Sequence, residues 1–181
     1  MGQVKLPEVA AMTKAHKSLE KIIRTRYRQI YSFLCWLCHD PECAADLTQE
    51  TFVAAWRDVG ALRNVDHLDT WLYRVARNTF LQARRKRQPL TDALSEEQSA
   101  SFATAGPESN ILAKLTLHNA LARLPETERE AIILHKLQDL SCAETALALD
   151  RPIGTIKRQI STGLQRMKAV LQNEKELFDE N

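Results

Sequence analysis

The 181-residue chain has little glycine, no long apolar run and no large excess of either charge. It contains only five glycines and no alternating β-branched segments bounded by turns, so it lacks the usual signs of β-hairpins. No apolar run approaches the roughly 18–20 residues that a membrane span needs. A formal net charge of +2 does not by itself indicate a nucleic-acid binder. These absences favour an all-α globular protein.

Export and catalytic motifs are missing as well. Residues 1–17 lack the continuous apolar core of a signal peptide, and Leu6 stands where a myristoylation motif requires Ser or Thr. We therefore expect a cytoplasmic protein whose four cysteines remain thiols. There is no phosphate-binding glycine loop, no serine nucleophile motif and no carboxylate pair in a recognisable setting. The sequence thus predicts no enzyme, no cofactor and no small-molecule substrate.

The first half of the chain is predicted to form three helices. An apolar stripe from Lys14 to His39 ends at Asp40-Pro41, and a second helix covers residues 42–58. A loop at residues 59–69 leads to a third helix at residues 71–88, which contains no acidic residue. A helix that needed only solubility would mix the signs of its exposed charges, so this third helix favours an anionic partner.

The third helix divides into two faces on a helical wheel. The predicted buried stripe consists of Trp71, Leu72, Val75, Thr79 and Ala83. The opposite face is basic but also holds an aromatic ring and an amide; its members are Tyr73, Arg74, Arg77, Asn78, Leu81, Arg84 and Arg85. A wholly basic face that also holds an aromatic ring and an amide is not what a helix that needs only solubility would carry.

Residues 88–110 are rich in Ser, Ala, Thr, Pro and acidic residues and show almost no helical period. This composition is typical of a linker or a weakly ordered segment. We therefore predict two small helical domains, residues 14–88 and 111–173, joined by a flexible linker at residues 89–110.

The second half is helical again. One amphipathic helix runs from Ile111 to Leu124, and a second, "PETEREAIILHKLQ", carries acidic residues in its first turn. "SCAETALAL" begins with Ser141 and Glu144 at the spacing of a capping box. After a short turn comes a basic final helix, whose predicted buried stripe is Ile156, Ile160, Leu164, Met167 and Leu171.

Two short helices, a tight turn and a basic final helix fit a helix-turn-helix. The exposed face of the last helix holds Lys157, Arg158, Ser161 and Thr162, where they would reach the major groove, and its first N–H groups are free to bind phosphate. The pattern alone also fits an ordinary antiparallel helix pair.

Two longer stretches carry a family resemblance. "DPECAADLTQETFVAAW" followed by "DTWLYRVARN" and a basic run resembles region 2 of bacterial sigma factors of the extracytoplasmic-function (ECF) group. "ALARLPETEREAIILHKLQDLSCAETALALDRPIGTIKRQIS" resembles their region 4. The resemblance implies a sigma factor of the sigma-70 family: a promoter-recognition subunit of RNA polymerase, with core RNA polymerase and promoter DNA as partners.

The resemblance also implies three binding surfaces. The core polymerase-binding surface would consist of Asp46, Gln49, Glu50 and Phe52, docked on a coiled coil of the largest polymerase subunit. The loop at residues 60–70 and the next helix would read the −10 element, with Tyr73, Arg74, Arg77, Asn78, Arg84 and Arg85 as its contacts. The −35 element would be read by Thr155, Lys157, Arg158, Ser161 and Thr162. The family is usually held inactive by an anti-sigma factor, often membrane-anchored.

Some positions depart from the family's usual pattern. Cys43 and Ala45 stand where the family often has acidic residues, beside the polymerase-docking stretch. In the last helix Arg158 takes a serine position, Gln159 and Thr162 replace arginines, and Gly163 weakens the helix by up to about 1 kcal/mol. Two alternatives also stay open on the basic helix: Tyr73 as partly exposed filler and the distal "RRKR" as a solvated helix end.

Four potential zinc ligands lie close together in the sequence: Cys35, Cys38, His39 and Cys43. Pro41 interrupts the helix before Cys43, and Cys35 falls beside the buried stripe. Small thiols also serve as ordinary core residues. We therefore assign no metal, and leave a metal site or a redox sensor as the alternative.

A DNA-binding regulator is the main rival function. It would use only the C-terminal helix-turn-helix, with residues 1–88 as a sensor or dimerisation domain. A sensor domain has no need of a basic, aromatic helix face at residues 71–88, so the sequence favours the sigma factor.

Overall fold

A computed structural model describes residues 6–62, 65–87 and 108–179, and helix is the only regular secondary structure in these ranges. The all-α prediction is therefore confirmed. The chain divides into two compact units, residues 1–98 and 99–181. Most of the predicted linker, residues 89–107, lies outside the described residues, and residues 108–110 belong to a helix.

Three helices form the N-terminal unit: α1 (Leu6–Cys38), α2 (Pro41–Asp58) and α3 (Leu68–Arg87). Each packs against the other two, and short 3-10 turns at Val59–Ala61 and Val65–His67 connect α2 to α3. The shared core consists of side chains almost wholly removed from water, each worth about 1.5–3 kcal/mol on burial. The largest are Leu19, Ile30, Phe33, Leu34, Leu68 and Leu72.

The corner between α1 and α2 is built by three consecutive residues. His39 has a left-handed backbone (φ 59°) that ends α1. The Asp40 side chain then accepts a 2.9 Å hydrogen bond from the Glu42 backbone N–H, which caps α2. Pro41 occupies the first turn of α2, where its missing N–H costs nothing. The stop signal at Asp40-Pro41 is therefore confirmed.

Three buried threonines of this unit bond within their own helix. Thr48, Thr51 and Thr79 donate their hydroxyls to the carbonyl four residues earlier, at 2.6, 2.6 and 3.1 Å. Each buried hydroxyl is thereby satisfied without a partner from another helix. A half-exposed ion pair, Arg26 Nη2 to Asp69 Oδ2 at 3.0 Å, joins α1 to α3.

The C-terminal unit is built from shorter helices around a long one. These are α4 (Glu108–Ala122), α5 (Glu126–Ile132) with a π-helical turn at Ile133–Leu137, α6 (Cys142–Leu149) and α7 (Ile153–Asp179). Helix α7 packs against α4, α5 and α6. The core gathers Leu121, Leu124, Ile132, Ile133, Leu134, Leu149 and Ile156.

The helix-turn-helix geometry is present in α6 and α7. The capping box is confirmed: Glu144 N–H donates to Ser141 Oγ at 3.2 Å, and Ser141 N–H donates to Glu144 Oε2 at 2.8 Å. Asp150 ends α6 in a left-handed conformation (φ 54°). Pro152 O then accepts from Thr155 N–H at 2.9 Å and Ile156 N–H at 3.1 Å, which starts α7.

The buried stripe of α7 differs from its prediction. Ile156, Ile160 and Met167 are buried as expected, but Leu164 and Leu171 are 38% and 37% exposed. Gly163 takes the buried place instead. A Cβ on Gly163 would come within 2.6 Å of Ile132 Cδ1 and 3.2 Å of Glu128 Cβ. The glycine therefore permits the close approach of α5 and α7, which a wheel drawn from apolar residues alone cannot reveal.

Charged groups hold the C-terminal unit together. The Arg129 guanidinium donates to the carbonyls of Leu121, Ala122 and Leu124 at 2.8–2.9 Å, which satisfies the end of α4. Arg151 Nη2 lies 2.6 Å from Oε2 of Glu130, a carboxylate with no exposure to water. Arg129 thereby ties α5 to the end of α4, and Arg151 ties the turn between α6 and α7 to α5.

Candidate nucleic-acid interface

Helix α3 buries a face that is rotated from the predicted one and shares only Leu72 and Thr79 with it. Leu68, Leu72 and Ala76 are fully buried, whereas Trp71 and Val75 remain half-buried. The buried arc is turned towards Ala76 because α3 packs against both α1 and α2. Because two helices, α1 and α2, pack on α3, they bury a wider part of its surface than the single apolar stripe predicted from the sequence.

Tyr73 is the main correction on this helix. The prediction placed its ring on the exposed basic face, but the residue is only 5% exposed. Its ring meets Phe33 of α1 edge to face, with centroids 5.5 Å apart, a favourable aromatic geometry. The reading of Tyr73 as partly exposed filler is equally wrong, since the ring belongs to the core. An aromatic ring so deeply buried offers no platform to an unstacked base.

The exposed side of α3 opens on a groove of about 330 Å³ between α3 and the end of α2. Trp71, Arg74 and Asn78 line it from α3. Arg57 and Asp58 line it from α2 and pair with each other at 2.9 Å. The groove thus combines an indole ring, guanidinium groups and a side-chain amide. Trp71 was assigned to the buried stripe, so sequence reasoning missed the aromatic ring that faces this groove.

The remaining arginines of α3 lie at different depths. Arg85 is exposed, while Arg77 and Arg84 are half-buried. The Arg84 guanidinium carbon lies 5.6 Å from the centroid of the Phe80 ring, a cation–π contact. The predicted basic face therefore keeps Arg74 and Arg85 on its exposed side, together with Asn78, and has Arg77 and Arg84 at its edges.

The four residues expected at the polymerase surface lie on α2. Asp46, Gln49 and Glu50 are exposed. Phe52 is half-buried because its ring stacks on Tyr27 of α1, with centroids 5.7 Å apart and planes 18° apart. Asp46 and Glu50 also line a groove of about 210 Å³ towards α3, with Lys86 among its members. The structure thus brings the three polar residues together and turns Phe52 towards α1.

Two apolar residues beside them were not predicted. Val53 is 71% exposed and Trp56 is 48% exposed, with the Trp56 ring 4.7 Å from that of His16. Together with Gln49 they follow the i, i+4, i+7 spacing of one helix face. The signal was present in the sequence, as two large apolar residues outside the buried face of α2, which consists of Cys43, Ala44, Leu47, Thr48, Thr51 and Ala55.

The cysteines at the α1–α2 corner have local hydrogen-bond partners. Cys38 Sγ donates to Leu34 O at 2.8 Å, and burial raises the pKa of Cys38 to about 12. Burial likewise raises the pKa of Cys35, and a hydrogen bond with Cys35 raises the pKa of Tyr31 to about 12. Thiols with raised pKa values stay protonated at neutral pH and are therefore weak nucleophiles.

These placements favour the core reading of the cysteines. Cys35 and Cys43 are buried, and no group of three or more His, Cys, Asp or Glu side chains in the described ranges is arranged to hold a metal ion. The alternative zinc set of Cys35, Cys38, His39 and Cys43 gains no support from this geometry.

The first turns of α7 present the five residues expected at the −35 element. Lys157, Arg158 and Ser161 are exposed, and Thr155 and Thr162 lie half-buried beside them. Gly154 has no heavy atom within 4 Å of where its Cβ would lie, so the helix start is open to a large partner. The free N–H groups of this first turn and the adjacent cations suit phosphate binding.

Comparison with known proteins matches both halves of the chain. The family model of Sigma-70 region 2 matches residues 22–89, and that of Sigma-70 region 4 matches residues 114–167. The ECF RNA polymerase sigma-E factor of Haemophilus influenzae is 34% identical over 131 residues, which cover 64% of this chain and 67% of that protein.

The chain belongs to the ECF group of the sigma-70 family. The RNA polymerase sigma-H factor of Pseudomonas aeruginosa is 29% identical to this sigma factor over 168 residues, or 86% of this chain and 87% of that one. Among solved structures, the sigma factor RpoE of Bartonella quintana in complex with the anti-sigma factor NepR has a TM-score of 0.70. It is 25% identical and matches 86% of this chain and 98% of that one. None of the described helices is long and apolar enough to cross a membrane.

Proposed function

We propose that this sigma factor directs core RNA polymerase to specific promoters, with residues 14–88 binding polymerase and the −10 element and residues 111–173 binding the −35 element. Residues 89–110 would link the two domains. The observation that carries the proposal is the ordered match to both sigma regions. Each matched region also exposes cationic side chains on one helix, Arg74 and Arg85 on α3 and Lys157 and Arg158 on α7.

The groove between α2 and α3 is our candidate for the melted −10 strand. Its arginines would hold phosphates, and the Asn78 amide would meet a base edge. Trp71 takes the stacking role that the sequence had given to Tyr73, because its ring faces the groove. Arg77, Arg84 and Arg85 would extend the basic track along α3.

The exposed start of α7 is our candidate for the duplex −35 element. Lys157 and Arg158 would contact phosphates and guanine edges in the major groove, with Thr155, Ser161 and Thr162 beside them.

The polymerase-binding surface is proposed to centre on α2. Asp46, Gln49 and Glu50 supply a polar rim, and Val53 and Trp56 supply an apolar centre. An exposed tryptophan surrounded by polar groups is typical of an interface anchor. Phe52 would stabilise this surface indirectly, because its ring stacks on Tyr27 and so packs α2 against α1.

Regulation by an anti-sigma factor is also proposed. The solved structure from Bartonella quintana is a complex with an anti-sigma factor, and an often membrane-anchored antagonist is what the family resemblance implies. We propose that this sigma factor acts in the cytoplasm, without catalytic activity, cofactor or small-molecule substrate of its own.

Run-off transcription tests the proposal. Purified core polymerase with this sigma factor should yield a promoter-specific product from DNA upstream of its own gene, and the two proteins should co-elute in gel filtration. Asn78→Ala should keep co-elution but reduce permanganate reactivity at the −10 element. A regulator that uses only α6 and α7 would instead bind duplex DNA without polymerase and give no transcript, and that result would overturn the proposal.

A further inference from the structure

The side chain of Arg151 ties the turn between α6 and α7 to α5. Its Nη2 donates to Glu130 Oε2 at 2.6 Å, and its Nη1 donates to Thr127 O at 3.2 Å. Glu130 and Thr127 both belong to α5. A charge-assisted bond to a fully buried carboxylate is a strong and directional anchor. Arg151 itself is held in place, with its side chain only 17% exposed.

The same guanidinium reaches the helix that carries the −35 candidates. Arg151 Nη1 lies 3.5 Å from Oε1 of Gln159, two turns into α7. Arginine has donors only, so the Gln159 amide must turn its oxygen towards Arg151. The NH₂ end of the amide is therefore directed away from Arg151. Gln159 keeps part of its surface in water, one residue from Arg158 on the helix.

We propose that Arg151 is a positioning residue for −35 recognition. Anchored by Glu130, it fixes the Gln159 amide so that its NH₂ group donates a hydrogen bond to an acceptor on the promoter duplex. That acceptor is a phosphate oxygen or the acceptor edge of a base. The proposal rests on the proposed function and adds Gln159, which departs from the family's usual arginine, to the duplex-facing set.

Orientation is the reason why the anchor matters. An unheld glutamine offers either end of its amide, and it loses rotamer freedom when DNA binds. Arg151 holds the oxygen end of the Gln159 amide before DNA binds, so that the NH₂ end is already turned outwards. The ion pair with Glu130 prevents the Arg151 side chain from rotating into solvent. Lysine at position 151 would still neutralise Glu130, but a single ammonium lacks the planar fork that reaches both partners.

The test uses holoenzyme and a fluorescent promoter duplex from the region upstream of its own gene. Arg151→Lys and Gln159→Ala should each weaken promoter binding about fivefold, the size of one hydrogen bond. The double variant should bind no more weakly than the weaker single variant, because both changes remove the same interaction. Circular dichroism melting of each free full-length variant shows whether it folds.

Gln159→Glu separates the donor role from a merely structural one. A carboxylate keeps and strengthens the contact with Arg151 but has no hydrogen to donate, and it repels phosphate. Promoter affinity should therefore fall at least as far as in Gln159→Ala, at about tenfold, with unchanged or raised thermal stability. Both Gln159 variants leave the Glu130–Arg151 pair intact, so they decide the matter even if Arg151→Lys unfolds.

The acceptor is identified by repeating the measurement on a set of −35 sequences. A uniform loss of affinity in Gln159→Ala points to phosphate, and a loss confined to one base pair points to a base edge. Wild-type affinity in Gln159→Glu, or effects of Arg151→Lys and Gln159→Ala that multiply in the double variant, would overturn the inference. Absence of promoter-specific binding by the wild-type holoenzyme would instead defeat the proposed function itself.

Discussion

The N-terminal unit joins helices of 33, 18 and 20 residues mainly through apolar side chains, whereas the C-terminal unit buries two glutamates, Glu128 and Glu130, against arginines. Long helices that cover one another bury enough area to fix their own geometry. Helices of seven and eight residues, such as α5 and α6, have little stability of their own and depend on contacts with their neighbours. Charged anchors give direction but tolerate substitution badly, because a lost partner leaves a desolvated charge.

The difference has a functional side. In the N-terminal unit the exposed polar residues of α2 and α3, such as Asp46, Glu50 and Arg74, take no part in the core. In the C-terminal unit the anchoring groups extend into α7, which also carries the −35 candidates. We therefore expect substitutions in the two units to act differently. All three tryptophans, Trp36, Trp56 and Trp71, lie in the N-terminal unit, so tryptophan fluorescence reports on that unit and circular dichroism on both.

The largest effect is expected from Glu130→Ala. It leaves Arg151 without its buried partner, which should cost about 3–5 kcal/mol of unfolding free energy. The unfolding transition measured by circular dichroism should shift to a lower temperature than in wild type. The transition measured by tryptophan fluorescence should keep its wild-type temperature. The matched control is Asp69→Asn, which breaks the half-exposed pair with Arg26 and should cost at most about 1 kcal/mol. Equal effects of the two changes would break the comparison between the units.

Tyr73 gives the next largest effect, in the other unit. Tyr73→Ala removes a ring packed on Phe33 and should cost about 3–5 kcal/mol, now visible in tryptophan fluorescence. Tyr73→Phe keeps that ring and should leave promoter melting, measured by permanganate footprinting, at the wild-type level. A melting defect in a stably folded Tyr73→Phe variant would contradict the core assignment and return Tyr73 to the DNA surface.

Gly163 tests the packing of α5 against α7. Helix propensity alone predicts that alanine would stabilise the protein, but its Cβ would meet Ile132 Cδ1 at 2.6 Å. Gly163→Ala should therefore destabilise the C-terminal unit, by about 1–3 kcal/mol, as expected of overpacking. Gly154→Ala, at an open position of the same helix, is the control and should be neutral or stabilising. A stabilised Gly163→Ala variant would show that α5 and α7 pack less closely.

The smallest expected effect is a pH dependence of the C-terminal unit. Burial, and then the nearby Arg129 cation, lower the pKa of His118 below its usual 6.5. At pH values between the two pKa values the unfolded chain binds more protons than the folded one, so acid favours unfolding. His118 should add full stability above about pH 6.5 and lose it as the pH falls towards the lowered pKa. Urea unfolding at a series of pH values should show that the unfolding free energy decreases less with falling pH in His118→Gln than in wild type.

Much of the architecture could be read from local signals. The Asp40-Pro41 stop, the capping box of Ser141 and Glu144, and the turn before Ile153 depend on residues that are neighbours in sequence. Each acts through its own backbone hydrogen bonds, so no distant partner is needed to predict it. The exposed polar residues of α2 and the cations at the start of α7 could be predicted for the same reason.

The errors all lie where two helices meet. Tyr73 was assigned to solvent because the sequence does not state how many neighbours cover α3, and two neighbours bury a wider arc than one. Leu164 was predicted to be buried, but Gly163 is buried in its place, because the closest approach of α5 and α7 requires the smallest side chain.

The sequence by itself determined the all-helical class, the capped helix ends at Asp40-Pro41 and Ser141, and the family, because these depend on periodicity, capping and motif order along one chain. Only the tertiary structure decided which ring faces the α2–α3 groove, which glutamate is buried and which arginine holds it. Those properties arise from the packing angle and distance between helices, and residues as far apart as Glu130 and Arg151 acquire their roles only when the fold brings them within 2.6 Å.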